Sequence, residues 1–269
     1  MTKKKYIQLL INYITSKTQK SGWFGNYLNW QEAKKKCTGY DDSTILDKVK
    51  NSALKVKNGE AVYERDSIIF DKIHYNWILA TYLLKAAIEN DNKLNVIDFG
   101  GSLGSTYFQN KAFLDTISKK KWVVIEQLQY VDCGKKYFED TTLNFRESLP
   151  HSIDDYEFNV FLASSVLQYI PNPYEIIDYA VKNKFKYIIL DRLALTDGIR
   201  DVLTIQYVSE NAYRASLPHW FFSIKNILDK IQSNYDLIIN EQSYCDTDVT
   251  LRNAVKCNFI LLIFKLKKK

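Results

Sequence analysis

Residues 94–108 read LNVIDFGGSLGSTYF. An apolar run closes on Asp98, Gly100, Gly101 and Gly104 follow within five residues, and a hydroxyl-rich segment from Ser105 opens a helical pattern. The whole chain of 269 residues has nine glycines. Three at one strand-to-helix turn mark a backbone that must come close to a ligand or adopt positive φ. In an open parallel sheet such a turn lies beyond the carboxyl ends of the strands, where ligands bind. The turn is not a GxGxxG fingerprint, because Ser102 stands two positions after Gly100. Nor does a Gly-Lys-Ser/Thr close it as in a phosphate-binding loop.

Downstream of this turn the texture is regular. Strand-like KWVVIEQ, LNFRESL, FNVFLASSVLQYI and KYIILDRLAL alternate with helical STYFQNKAFLDTIS, VDCGKKYFED and PYEIIDYAVKNK, then helical SIKNILDKIQSN. Such alternation predicts an α/β fold, a mostly parallel sheet with helices on both faces. YDLIINEQSY and NFILLIFKLK end the chain with no helical pattern between them. They predict a terminal antiparallel strand, unlike a plain dinucleotide-binding sheet. The first ninety residues read differently: aromatic, turn-rich and helical, with no clear strand. AVYERDSIIFDKIHYNWILATYLLKAAIEN reads as one long or broken helix. The expected organisation is a helical substrate cap over 1–90 and a cofactor-binding domain over 91–269.

Charge and composition narrow the partners. Of the formal +6, seven lysines lie at the two ends (Lys3, Lys4, Lys5, Lys265, Lys267, Lys268, Lys269); without them 30 basic residues face 31 acidic ones. A near-neutral body argues against a nucleic-acid groove. Four isolated cysteines, with no CxxC pair, fit free thiols in a reducing, cytoplasmic setting. Three histidines at non-metal spacing give no metal site. No apolar run approaches the roughly 20 residues that span a bilayer. Ile7, Leu10, Ile11 and Ile14 form an amphipathic stripe, which packs on the protein's own body or, at most, touches a membrane surface.

Glu126 ends the WVVIEQ strand, 26 residues after Gly100. An acid there accepts hydrogen bonds from both hydroxyls of a ribose. With no sign of a pyrophosphate loop, the turn suits an amino-acid end, with Asp98 orienting groups around an ammonium. S-adenosylmethionine, with no pyrophosphate, is an adenosine-like ligand whose amino-acid end such a loop would cradle.

At this point the sequence resembles class I S-adenosylmethionine-dependent methyltransferases, whose first motif is an acid followed by alternate glycines. Asp98, Gly100 and Gly104 match, and Ser102 replaces the middle glycine. The resemblance sharpens to a family of bacterial methyltransferases associated with surface-polysaccharide gene clusters and covers nearly the whole chain. It is carried by Trp23-x-x-x-Tyr27-x-x-Trp30, Gly39-Tyr40, GEAVYERD, DFGGSLGSTYFQ, VIEQ, ASSVLQYI, LDR and SLPHWFFS. It implies a Rossmann-like methyltransferase fold and a cofactor site of Asp98, Gly100, Gly101, Ser102, Gly104, Glu126 and Gln127. It also implies Ser164 and Ser165 beside the departing methyl, Gln168 and Tyr169 over the adenosyl group, and Phe145 with Arg146 bordering the adenine. Asn172-Pro173-Tyr174 imitates an amino-methyltransferase motif, but Ala163-Ser164-Ser165 occupies that motif's place. Pro173 instead fits the first turn of a helix.

Methyl transfer to a hydroxyl needs a base. His219, in a predicted loop SLPHWFF, is the first candidate, His74 the second and Asp191 the third. Tyr63, Arg65, Arg192 and Arg214 are candidates for the acceptor, since arginines there suit a phosphate or carboxylate; the alternative for Arg65 is a pair with Glu64 within the cap. The expected acceptor is a small glycan or nucleotide-activated sugar. A nicotinamide-dependent oxidoreductase and a non-catalytic methyltransferase-like binding domain are the rival readings.

Overall fold

The computed structural model describes residues 21–38, 43–150, 157–208, 215–251 and 255–268. The amphipathic stripe at 7–14, Gly39-Tyr40 and Arg214 lie outside the described residues. The chain opens with β1 (Gly22–Phe24), α1 (Trp30–Lys34), α2 (Ser43–Lys57), β2 (Tyr63–Arg65), β3 (Ile68–Phe70) and α3 (Trp77–Ile88). The glycine-turn strand is β4 (Lys93–Phe99), followed by α4 (Ser105–Leu114), β5 (Lys119–Ile125), α5 (Leu128–Tyr137), β6 (Leu143–Arg146) and β7 (Val160–Ser164). After a short 3-10 turn at Leu167–Tyr169 come α6 (Pro173–Lys182), β8 (Tyr187–Thr196), β9 (Val202–Tyr207) and β10 (Ser216–Ser223). The end comprises α7 (Ile224–Ile231), β11 (Tyr235–Gln242), β12 (Val249–Thr250) and β13 (Lys256–Leu266).

The central sheet runs β6-β5-β4-β7-β8-β13-β11. The first four pairings are parallel, and β13 runs antiparallel between β8 and β11. This is the expected Rossmann-like α/β sheet with its antiparallel close. The alternation of period two explains its burial. Val96, Val124, Leu162, Ile189 and Ile263 face one core, under α2–α5. Their neighbours Ile97, Val123, Phe161, Ile188 and Leu262 face the other, under α6 and α7. Strands buried on both faces read as continuous apolar runs, and each such side chain contributes about 1.5–3 kcal/mol. Among the described residues, no helix is long and apolar enough to cross a membrane.

The first ninety residues differ from expectation. They contain three short strands: β1 pairs antiparallel with β9, and β2 pairs with β3. Asp66 and Ser67, at φ 53° and 67°, form the two-residue turn between β2 and β3, the conformation that a tight hairpin requires. Three-residue strands are too short to show a period, so the helical pattern of Trp77–Ile88 dominated the reading. SLPHWFF also differs: it is the body of β10, paired with β9 over six positions. Pro218 is tolerated because β10 reaches β8 only through Phe222 and Ser223.

Within β8 the ladder to β13 shifts register: Leu193 faces Ile260, Leu190 faces Leu262, and Asp191 and Arg192 share one opposing residue. Arg192 sits at φ 52°. This is a β-bulge, a device that re-aims side chains next to functional sites.

Candidate active site

A cavity of about 950 Å³ opens at the carboxyl ends of β4, β5, β7 and β8, the switch point where neighbouring connections leave the sheet in opposite directions. One wall is the glycine turn. The Gly100 backbone N–H donates to the Ile125 carbonyl at 2.9 Å, and the Gly104 N–H to the Gly101 carbonyl at 2.9 Å. Gly100 (φ 72°) and Gly104 (φ 89°) are left-handed. Ser102, where the resemblance expects glycine, keeps the left-handed conformation at φ 53°. At Gly101 a Cβ would stand 2.4 Å from Asp98 Oδ2, and at Gly100 one would stand 2.2 Å from Val166 Cγ2. Both positions therefore exclude side chains, and the cavity meets bare backbone there.

Asp98 lies beneath the turn, 1% exposed. Trp122 Nε1 donates to its Oδ2 at 2.9 Å, while Oδ1 has no partner among the described residues. Burial pushes its pKa up to about 7. Glu126, at the end of β5, accepts from the Ser102 N–H at 3.3 Å and the Gln127 N–H at 2.9 Å. Its pKa is raised by burial against those two donors. Gln127, Ser164 and Ser165 also line the cavity.

Two expected cofactor residues lie elsewhere. Phe145 is inside β6, 2% exposed, and packs under Gly134, whose Cα leaves just enough room for the ring. It does not line this cavity. Gln168 is fully buried in the 3-10 turn; its Nε2 donates to Ser165 Oγ at 3.3 Å and the Arg192 carbonyl at 3.1 Å. It pins the β7 loop to the bulge, and Val166, Tyr169 and Ile170 face the cavity instead. Gly104 acts from behind the wall, as the N-cap of α4.

The catalytic candidates separate sharply. His219 is 0% exposed, ringed by Trp23, Tyr169, Phe221 and Phe259. Neither ring nitrogen has a partner among the described residues, and burial pushes its pKa down to about 3. It does not line the cavity, because Trp23, Tyr169 and Phe259 do. His74 is an exposed residue whose ring packs on Phe70 at 5.6 Å; it too lies off the cavity. Asp191 lines it. Ser164 Oγ donates to Asp191 Oδ2 at 2.7 Å, and Asn76 Nδ2 donates to Oδ1 at 3.0 Å. Burial raises its pKa, against the Ser164 bond and Arg192. Asn76, which also caps α3 through Leu79 N–H at 3.0 Å, was not anticipated; its helix-cap position was the available signal.

Tyr63, Glu64, Arg65, Asp66 and Arg192 form a further wall of the cavity. Glu64 does not pair with Arg65 in an ion pair: its Oε1 accepts from Ser105 Oγ, Oε2 has no partner among the described residues, and burial pushes it up to about 7. Tyr244, Cys245 and Asp246, from the β11–β12 loop, complete this wall. The sequence signal for them was only a polar cluster between two strands.

No family model and no curated protein matches the chain. Solved structures do show similarity. The N-terminal domain of EvdMO1, in the presence of SAH and D-fucose, has 12% identity and a TM-score of 0.49, over 84% of this chain and 100% of that one. CalS10, an amino pentose methyltransferase from Micromonospora echinaspora, has 8% identity and a TM-score of 0.43, over 71% and 89%. The 1,6-didemethyltoxoflavin-N1-methyltransferase of Burkholderia thailandensis has 9% identity and a TM-score of 0.40, over 82% and 88%.

Proposed function

We propose that this chain is a cytoplasmic S-adenosylmethionine-dependent methyltransferase that methylates an oxygen of a sugar or activated precursor in bacterial surface-glycan assembly. The carrying observation is the bare Gly100–Gly101 backbone in the cavity wall, with the Glu126 carboxylate 3.3 Å from the Ser102 N–H. Backbone without side chains at Gly100 and Gly101 suits the amino-acid end of the cofactor, and a carboxylate at the next strand end suits a ribose diol. The Asp98 carboxyl below the turn, its Oδ1 without a partner among the described residues, adds negative potential where an ammonium is expected whenever it is ionised. When bound, S-adenosylmethionine supplies a methyl group already activated on a sulfonium.

The chain's residues do the rest by alignment, water exclusion and proton removal. Ser164 and Asn76 hold Asp191 in one orientation, and each of its oxygens retains a lone pair. An acceptor hydroxyl that reaches Asp191 gives its proton to that carboxylate, whose basicity burial has increased. The segment before residue 91 acts as the acceptor-facing part, because Tyr63–Asp66 line the same cavity as the glycine turn.

Titration calorimetry with S-adenosylhomocysteine, S-adenosylmethionine and NAD tests the reading. S-adenosylhomocysteine is expected to bind, and Glu126→Ala to weaken it roughly 10- to 100-fold through lost charged hydrogen bonds. Absence of binding to either sulfur ligand sinks the proposal, and binding of NAD in their place would redirect it to an oxidoreductase.

A further inference from the structure

The two described arginines of the acceptor wall are not equivalent. Arg192 is already neutralised. Its Nε and Nη2 reach Asp246 Oδ2 and Oδ1 at 2.9 and 3.1 Å, and Nη2 lies 3.6 Å from Asp66 Oδ2. Those carboxylates hold its charge against burial. Its backbone carbonyl is the one that Gln168 grips, so the side chain and its acids fix the β8 bulge.

Arg65 lines the same cavity with different surroundings. Its guanidinium carbon lies 5.1 Å from the Phe70 ring centre and 5.9 Å from that of Tyr244. Among the described residues no carboxylate forms an ion pair with it, and its Nη1 is buried without a partner. The acid next to it in sequence, Glu64, is bonded to Ser105 instead. Beside it stand the Tyr63 and Tyr244 hydroxyls, 3.3 Å apart and both within 3.3 Å of Gln109 Nε2; its charge also acts on Glu64 and Asp246, without an ion pair to either. A guanidinium held by aromatic contacts keeps a planar fork of donors oriented at little further entropic cost. Its complement is a planar or tetrahedral oxyanion, which takes two parallel N–H···O bonds.

We propose that the methyl acceptor carries an oxyanion, a phosphate or a carboxylate, and that Arg65 binds it with Tyr63 and Tyr244 alongside. The inference rests on the methyltransferase reading for the identity of the other ligand. Arg192 then serves the architecture of the bulge and takes no part in anion capture.

The test uses the full chain saturated with S-adenosylhomocysteine. Glucose 1-phosphate, glucuronic acid and neutral glucose are titrated into the wild type, Arg65→Gln and Arg65→Lys. At least one acid is expected to bind at least about tenfold more tightly than glucose, the size of one charged hydrogen bond. Arg65→Gln should lose that advantage, and Arg65→Lys should recover only part of it, because an ammonium lacks the fork. The phosphate and carboxylate arms tell the two oxyanions apart. Equal binding of acidic and neutral sugars, no binding of either acid, or an acid affinity unchanged in Arg65→Gln would overturn the proposal. Retained S-adenosylhomocysteine affinity shows that the variants fold. If Arg65→Gln loses it, the comparison of Arg65→Lys with wild type decides. Wild type that binds no S-adenosylhomocysteine at all would overturn the methyltransferase reading instead.

Discussion

One wall of the cavity comes from Gly100–Ser102, Glu126–Gln127 and Ser164–Ser165, all at the ends of adjacent parallel strands. A second wall comes from Trp23, the β2–β3 hairpin, the β8 bulge and the Tyr244–Asp246 loop. The first is held by backbone conformation: positive φ, exclusion of Cβ atoms and parallel ladders. The second is held by side-chain pairing across long sequence separations, 54 positions for Arg192 and Asp246 and 181 for Tyr63 and Tyr244. The first wall should therefore fail sterically and abruptly. The second should fail through unpaired charge, and by degrees.

The hardest break is Gly101→Val. Its Cβ would stand 2.4 Å from Asp98 Oδ2, and Asp98 cannot retreat while Trp122 holds it in a packed core. Strain of about 1–3 kcal/mol is expected, with S-adenosylhomocysteine binding lost by more than about 100-fold. Calorimetry and thermal melting measure the two effects. Full-affinity binding would show that the turn is not the donor wall.

Asp191→Asn breaks the chemistry at the junction of the walls. Turnover on an acceptor found by screening nucleotide sugars and glycan fragments should fall by roughly 10²- to 10⁴-fold. S-adenosylhomocysteine affinity should stay within about twofold, since Asn can still meet Asn76 and Ser164. An unchanged turnover would remove Asp191 as the base.

The contrast between the walls also explains what was legible. The glycine turn and Glu126 announce themselves, because positive φ and backbone approach restrict residue type locally. The mostly parallel sheet follows from apolar runs that alternate with helical periods, and the antiparallel close from two final apolar runs with no helix between them; the spatial order of the strands does not. Phe145 and Gln168 were misplaced because a strand end fixes where a residue lies but not which way it points; Gly134 and the 3-10 turn decided that. The hairpin, β9 and β10 were missed because Pro218, His219 and a tight Asp66-Ser67 turn look like loop chemistry until the partner strand is known. Arg192 and Asp246 find each other only through a bulge that no local pattern encodes.

A smaller effect sharpens the electrostatic side of the comparison. Glu64 is raised by burial from the ordinary carboxylate range to about 7. A carboxyl whose folded pKa is raised favours the folded state most when both states are protonated. That contribution is fully present below about 4.5 and is lost as pH rises through about 7. The wild-type protein free of ligand should thus lose melting temperature between pH 5 and 8 by several degrees more than Glu64→Gln, whose amide oxygen still accepts from Ser105. Parallel melting curves for the two proteins would show that Glu64 does not carry this burden.

The smallest expected effect is at His219. A general base must come within hydrogen-bond reach of the proton it removes, and Trp23, Tyr169 and Phe259 stand between this ring and the cavity. His219→Phe should leave turnover within about twofold. Two opposing terms act on stability: relief of two unpartnered ring nitrogens, worth about 1–3 kcal/mol, and overpacking of about the same size. At pH 7 they should nearly cancel. The acid side should not cancel, because burial lowers the histidine from 6.5 to about 3. A lowered folded pKa gives stability that is present above 6.5 and lost as pH falls toward 3, so the variant should melt higher than wild type at pH 5. That sign is opposite to the one expected at Glu64. A turnover loss beyond about tenfold with S-adenosylhomocysteine affinity intact would return His219 to the mechanism and require the aromatic screen to open during the reaction.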